Sequence, residues 1–523
     1  MNLGGFQSMS IFVPHSMVCR AVCRCVRVFR LAAICCVVLA LPSACEAGLE
    51  AGAAMVDITD YESGPANDVL YAKALVLKSG DTTAVIATVD AVAIEEIGPI
   101  KNGYLDKVRA QLEEELQIVP SNVIVNASHC HGIVVADVAE RTVQAVREAA
   151  EKLAPVKIGV GVGHEDRVSA NRRLMLKSGR ELDVRHAYSL PPDEEVASVG
   201  PIDPQIGVLR LDGEDGNTVA VVYNFAVHPI QGAAGGGNTA DIIGYSSKVI
   251  EENTGEGTVA LFLQGCAGDI NPAFYKDVDH PRDAEPLGNY LGLSTLKAYR
   301  AIEPREDDRL VILNETRELP RADFAQRIAD MEAERDRLLG TLGGTSMNLK
   351  TFLSTVTKYS LADEFPSYYS HRYLHEEMLG RDHLKRLDAE NLRNMERYVQ
   401  NIYTMEELSR VQTNLRLLRK NQAKNVAAGK RTIDVELTAW RIGDFVLTTF
   451  PGELVVRIGL NIKEASPHER TFVAGYTNGY IYYAPTTEQA LNAGAAQEDS
   501  DCLLAPEWQP LYEEYAAELL KRL

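Results

Sequence analysis

Five apolar runs along this chain each break off into polar, chemically capable residues, and that pattern constrains the fold more than any other feature. "NVIVNAS" runs into His129 and His131, and "VVYNFAVHP" into His228. "ALFLQGCAGDINP" carries Asp269 and Asn271, "FVLTTFPGE" reaches Glu453, and "FVAGYTNGYIYY" runs into Tyr480, Tyr482 and Tyr483. Short apolar runs bounded by turn residues read as strands. Helical periodicity over 101–117 and 137–153 alternates with them, which predicts an α/β chain of mixed β-sheets with flanking helices. In open α/β sheets, sites form beyond the carboxyl ends of strands. "AKALVLKSG" and "TTAVIATVDAVAI", separated by Ser79-Gly80-Asp81, read as a hairpin. Strands are further expected over 218–229 and 257–269. From about 321 to 428 the chain turns charged and helical, which reads as a helical insertion with solvated faces.

The His-x-His pair is the sharpest local signal. Residues i and i+2 of a strand share a face, so His129 and His131 can reach one point. That suits a metal, or one metal ligand beside one proton carrier; hydrogen-bonded loop histidines are the alternative. Cys130, on the opposite face, reads as structural. The other strand ends add an imidazole, carboxylates and phenols that could converge on one metal. Such nitrogen and oxygen ligands, with a position left open, suit a catalytic zinc.

Bulk properties narrow the partners. The formal charge is −20, which argues against nucleic acid and anionic membrane surfaces. Arg20, Arg24, Arg27 and Arg30 precede the apolar run "LAAICCVVLALPSA", and Ala44 and Ala47 offer cleavage sites. Residues 1–47 therefore read as a signal peptide for export, periplasmic or extracellular, with residues 48–523 as the folded part. The apolar run is short for a membrane span, so no transmembrane segment is expected in the mature chain. Lipid attachment at Cys45 is the minor alternative. Six of nine cysteines lie in the leader; Cys130, Cys266 and Cys502 remain and allow one disulfide at most.

"NASHCHG", "NRR" at 171–173, "NFAVHP", "FLQGCAGDINP", "FPGE" and "NGYIYYAPTT", preceded by "VDIT" and "LYAKALVL", occur in order across nearly the whole mature chain. In these the chain resembles the catalytic portion of the neutral/alkaline (non-lysosomal) ceramidase family. The resemblance implies one zinc held by His129, His228, Glu453 and Tyr483, with Tyr482 as the alternative phenol. It implies His131 as proton carrier or substrate binder, and Arg172 at the substrate or developing oxyanion. Asp269 and Tyr480 are candidate substrate contacts, although Asp269 also reads as a loop-holding carboxylate. Two departures stand out. The family's Gly-Asp-x-Ser-Pro serine is replaced by Asn271 in "GDINP", which leaves water as the attacking group and Asn271 to orient it or the substrate. The chain also ends 40 residues after Tyr483, too few for the immunoglobulin-like domain of the larger relatives. The implied function is a secreted zinc-dependent hydrolase of an N-acyl lipid or related amide, in sphingolipid or other lipid metabolism. An esterase, another N-acyl hydrolase, or a non-catalytic zinc-containing binding protein are the alternatives.

Overall fold

The computed structural model describes residues 48–184, 191, 193–275, 277–367, 369–492 and 496–523. The expected signal peptide at 1–47 lies outside the described residues. Gly48–Leu523 form one compact unit.

Apolar residues on both faces of the strands decide how the sheets stack. The largest sheet has eight strands, in the order Val259–Gln264, Thr218–Phe225, Gln205–Gly213, Ala154–His164, Glu50–Asp57, Tyr71–Ser79, Thr82–Val89, Val123–Ala127. Its two halves meet narrowly: Glu50–Asp57 and Ala154–His164 pair only at Glu50–Pro155 and Ala51–Ala154. The halves fold toward each other across this join. Leu75, Leu77, Ile86 and Ile124 of one half pack with Leu209, Val222, Leu261 and Leu263 of the other. A four-stranded sheet (Leu310–Pro320, Thr432–Ile442, Phe445–Thr449, Thr471–Ala474) adds Trp440, Phe445, Leu447 and Phe472 to the same core.

The alternate residues of the same strands face helices, as a period of two requires. Ala74, Val76, Val85 and Val125 pack on Val108 and Leu112 of helix Tyr104–Leu116 and Val143 and Val146 of helix Val138–Ala150. Val221, Tyr223 and Phe262 pack on Ile242 and Ile250 of helix Asp241–Thr254 and Leu287 and Leu291 of helix Glu285–Arg300. Leu437, Val446 and Val473 pack on Ile458 of helix Val456–Ala465 and Trp508 and Tyr512 of helix Trp508–Leu520. The chain is thus mixed α/β, with three helix-covered sheet faces around one shared core.

Each of these three layers contains one parallel strand pair joined through a helix. Thr82–Val89 pairs with Val123–Ala127, Thr218–Phe225 with Val259–Gln264, and Phe445–Thr449 with Thr471–Ala474. A parallel pair needs such a crossover, and both its carboxyl ends leave on one side. The loops carrying the candidate histidines, Asp269, Asn271, Glu453 and the tyrosines leave from these ends, while Arg172 lies between the short strands Ser169–Asn171 and Arg173–Leu176.

Buried side-chain amides tie the ends together. Gln264 Nε2 donates to Ser128 O at 2.9 Å and Val227 O at 2.7 Å, while its Oε1 accepts from the Val227 and Gly265 amides. Asn126 Nδ2 donates to Gly475 O at 2.7 Å, and its Oδ1 accepts from the Gln264 amide at 2.9 Å. Asn478 exchanges bonds with both backbone groups of Val125.

Several sequence expectations need correction. The hairpin is present, with Tyr71–Ser79 paired to Thr82–Val89. The strands expected to 229 and 269 end at Phe225 and Gln264, because the following residues leave the ladder to build loops. The strand before the His-x-His pair ends at Ala127, and His129 has φ 67°, a left-handed conformation. The strand-face argument for the pair therefore does not hold; a loop places both rings.

The helical residues interrupt a β-hairpin. Leu310–Pro320 pairs with Thr432–Ile442 along its whole length, from Leu310–Ile442 to Pro320–Thr432. Between them lie helices Ala325–Thr341, Leu349–Leu361, Ser370–Met378 and the 45-residue helix His383–Ala427. Their charged faces are not all solvated. Arg410 is buried and reaches Asp183 at 2.8 Å, and Asn421 and Asn425 bond to Ser500 O and Leu503 O.

Gln264→Leu tests the amide tie. It keeps the side chain's bulk but strips partners from three buried backbone groups, Ser128 O, Val227 O and the Val227 amide, while the Gly265 amide keeps Phe225 O. A loss of about 3 kcal/mol or more is expected in denaturant unfolding, given roughly 1–3 kcal/mol for each buried group left unsatisfied. A loss below about 1 kcal/mol would refute the role assigned to Gln264.

Candidate metal centre

His129 follows strand Val123–Ala127 by two residues. Its amide donates to Ala91 O at 2.9 Å and its Nδ1 bonds to Val92 O. His228 follows strand Thr218–Phe225, and its amide and its Nδ1 both meet Ile270 O, at 3.1 and 2.9 Å. A carbonyl oxygen can only accept, so each Nδ1 carries a hydrogen and, in a neutral ring, each Nε2 carries a lone pair. The two rings stand edge to face, 4.7 Å apart. Glu453 enters from the Pro451-Gly452 turn, with its amide bonded to Tyr482 O at 2.9 Å. Its Oε2 lies 3.2 Å from His228 Nε2 and 3.6 Å from His129 Nε2. Gly268 lets the "QGCAGD" loop lie against this turn: a Cβ there would fall 2.6 Å from Glu453 O.

These contacts test whether a cation belongs here. Burial, then the Arg172 charge, push the His228 imidazole down to about 3, against the pull of Glu453. His228 is therefore neutral at ordinary pH, and its buried Nε2 makes no hydrogen bond. A lone pair aimed at a carboxylate 3.2 Å away is repulsive unless a cation joins them. Ligand atoms of His129, His228 and Glu453 all lie within 4.8 Å of one another. Two imidazoles and a carboxylate with Nδ1 fixed by carbonyls fit a metal ion well.

Phenols and one arginine surround the three. Tyr476 donates to Glu453 Oε2 at 3.2 Å and Tyr480 donates to Oε1. Burial and then the Glu453 charge push both phenols well above their usual range, so both stay protonated and donating. Tyr483 Oη accepts from Arg172 Nη2 at 3.3 Å. Arg172 is 1% exposed. Burial opposes its charge, but Glu498, then Tyr483 and Glu453, outweigh burial and keep it a cation. Its Nε pairs with Glu498 at 2.8 Å, its Nη1 donates to Asn271 Oδ1 at 3.1 Å, and its Nη2 also donates to Gly268 O.

A cavity of about 430 Å³ opens onto this group. His129, His131, Arg172, His228, Glu453, Tyr480 and Tyr483 all line it. His131 is exposed, its ring 5.8 Å from that of His129. Asp269 and Asn271 are not among the described lining residues. Asp269 accepts from the Val456 amide at 2.8 Å and Asn171 Nδ2 at 3.0 Å, which anchors the loop to helix Val456–Ala465. This is the loop-holding role that the sequence also offers for it. Asn271 Oδ1 accepts from Arg172 and so helps to position that side chain.

Tyr476 went unread in the sequence. It lies in the same "FVAGYTNGYIYY" run, but nothing there separates it from a core tyrosine. Glu498 was also missed. Nothing in its "QEDS" segment singles it out, yet Glu498 is fully buried against Arg172, and Asp499 against Arg173 at 2.9 Å.

Two outcomes follow. His228→Ala should abolish stoichiometric metal in the purified protein, measured by elemental analysis; retention of one metal per chain would exclude His228 as a ligand. The metal-free protein should lose stability as pH falls. His228 takes up a proton near pH 6.5 when unfolded but only near 3 when folded, so the unfolded chain binds more protons between these values. Thermal unfolding of chelated protein at pH 7.5 and 5 should show a drop that is smaller in His228→Gln; equal drops in both would contradict this.

No protein-family profile matches the chain, and no curated protein matches it. Solved structures do. The neutral ceramidase from Pseudomonas aeruginosa aligns over 91% of this chain and 75% of its own, at 18% identity and TM-score 0.55. A structure described as a ceramidase complexed with C2 aligns over 91% of this chain and 76% of its own, at 17% identity and TM-score 0.56. The chain therefore shares the fold of the neutral ceramidases.

Proposed function

We propose that this chain is an exported zinc-dependent hydrolase of an amide bond, ceramidase-like in its site and acting on an N-acyl lipid or related amide. The observation that carries the reading is the buried His129, His228 and Glu453 group, with its unpartnered His228 Nε2, at the floor of a cavity in a ceramidase fold. His129, His228, Glu453 and Tyr483 would hold the zinc. When bound, zinc supplies a Lewis acid for the amide carbonyl and lowers the pKa of a water to about 7.

The chain's own residues supply the rest. Tyr476 and Tyr480 hold both Glu453 oxygens and fix its orientation. Arg172 holds Tyr483 and, through its charge at the cavity wall, favours negative charge developing on the substrate oxygen. His131, exposed in the cavity, takes a proton from the attacking water at a ring nitrogen and returns it to the leaving amine. Asn271 is no nucleophile, and its Oδ1 already serves Arg172. Water therefore attacks directly, with no acylated side chain.

Export rests on the sequence of 1–47 alone; among the described residues no helix is long and apolar enough to cross a membrane. The N-terminus of the mature protein, read by mass spectrometry, should fall near Ala44–Ala47, and an uncleaved cytoplasmic protein would refute export.

A panel of N-acyl amides and matching esters tests the activity. Turnover of an amide, lost on chelation and regained with zinc, is expected. His131→Ala should cost about 10²–10⁴-fold in kcat, as for loss of a proton carrier. Asn271→Ala should cost on the order of tenfold, through a loosened Arg172. Turnover of esters alone would change the bond assigned, and an acylated side chain in quenched enzyme would overturn the direct-water route.

A further inference from the structure

The cavity rim carries two cations, Lys420 and Arg282, that the proposed chemistry does not use. Lys420 is already engaged: its Nζ lies 3.8 Å from Asp501 and 4.2 Å from the centre of the Tyr482 ring. Arg282 is not. It sits on the loop between strand Ile270–Pro272 and helix Glu285–Arg300, exposed at the cavity mouth. Among the described residues, no carboxylate lies within ion-pair distance of its guanidinium. The chain has 73 acidic against 53 basic residues, so a cation left unpaired at a cavity mouth runs against its composition.

The guanidinium is also held in place. Its Nε donates to Gln231 O at 3.4 Å. Its plane lies on Gly232, where a Cβ would come within 3.3 Å of Nη2 and 3.4 Å of Nε. Gly232 has φ 88°, which a side chain would resist. Its amide donates to Asp241 Oδ2 at 2.6 Å, and its carbonyl accepts from the Ala284 amide at 2.8 Å. The shelf under Arg282 is thus fixed from two sides. It belongs to the loop that carries His228, four residues earlier. The terminal nitrogens remain to meet a ligand whose apolar part lies along Val92, Ile97 and Ile230.

We propose that Arg282 is a specificity-determining residue that receives an anionic group, a carboxylate or a phosphate, on one arm of the substrate. This rests on reading the cavity as an amide-hydrolase site. A planar guanidinium held at one edge presents a two-pronged donor that matches either anion.

Three substrates with one acyl chain test it: N-dodecanoylglycine, N-dodecanoyl phosphoethanolamine and neutral N-dodecanoylethanolamine. Wild-type kcat/KM should favour at least one anionic substrate over the neutral one, and the two anionic arms tell carboxylate from phosphate. Arg282→Gln should cut that preference on the order of tenfold, Arg282→Glu should cut it further, and added salt should shrink it in wild type. Absence of a preference, or an unchanged preference in both variants, would overturn the assignment. If wild type cleaves none of the three, the amide-hydrolase reading fails separately. Calorimetric binding of N-dodecanoylglycine and N-dodecanoyl phosphoethanolamine then decides on Arg282. Roughly tenfold weaker binding of either by Arg282→Gln supports the proposal; equal binding, or no binding of either to wild type, refutes it.

Discussion

One buried glutamine holds the centre together. Gln264 is fully buried, and its amide uses both donor hydrogens and its oxygen on groups from two separate loops. Ser128 O belongs to the loop of His129, and Val227 O to the loop of His228. The two imidazoles therefore sit at a separation set by one side chain. Asn126 and Asn478 extend the same tie to the third layer, whose strand ends carry Glu453 and the tyrosines. Such amides are stabilising only when every polar atom finds a partner. That condition makes the arrangement rigid: no strand end can shift without stranding a buried group.

Electrostatics behind the site have a similar logic. Arg172 and Arg173 lie buried side by side, facing Glu498 and Asp499. Buried ion pairs contribute little net stability, but losing one partner is costly, so the pairs fix geometry. Arg172 in turn depresses the basicity of His228 and donates to Tyr483. Burial and the same guanidinium together keep the His228 ring neutral. Burial and then Glu453 hold Tyr476 and Tyr480 protonated, so both remain donors to that carboxylate. Neighbouring tyrosines of one loop take opposite roles: Tyr476 and Tyr480 donate to Glu453, while Tyr483 accepts from Arg172.

The long helical excursion costs the fold little, because it leaves and returns between paired strands. Pro320 and Thr432 are direct partners, so the hairpin closes beneath it. Its final helix is not an ornament. Lys420 reaches the cavity rim, and Lys424 bonds Tyr482 Oη at 2.6 Å. The insertion thereby shapes the entrance to a centre whose floor it does not touch.

Much of this was legible in the sequence. The five strands with polar ends, the first hairpin, the α/β alternation and the helical stretch all follow from periodicity, which is a local property. The candidate ligands His129, His228 and Glu453 were readable because each follows an apolar run that has to end. What the sequence could not supply was how the ends meet. The His-x-His pair reads as a strand pair, yet His129 takes a left-handed turn after the strand has ended. Asp269 and Asn271 share one short loop, yet only the structure shows that one holds the Val456 amide and the other Arg172. Glu498, 45 residues beyond Glu453, carries no local signal in the sequence and is fully buried. Periodicity reports which residues leave water; direction after a strand end is decided by hydrogen bonds to groups over a hundred residues away, such as Gln264 to Ser128. The sequence by itself determined which residues could do chemistry, and only the tertiary structure decided which of them face one another.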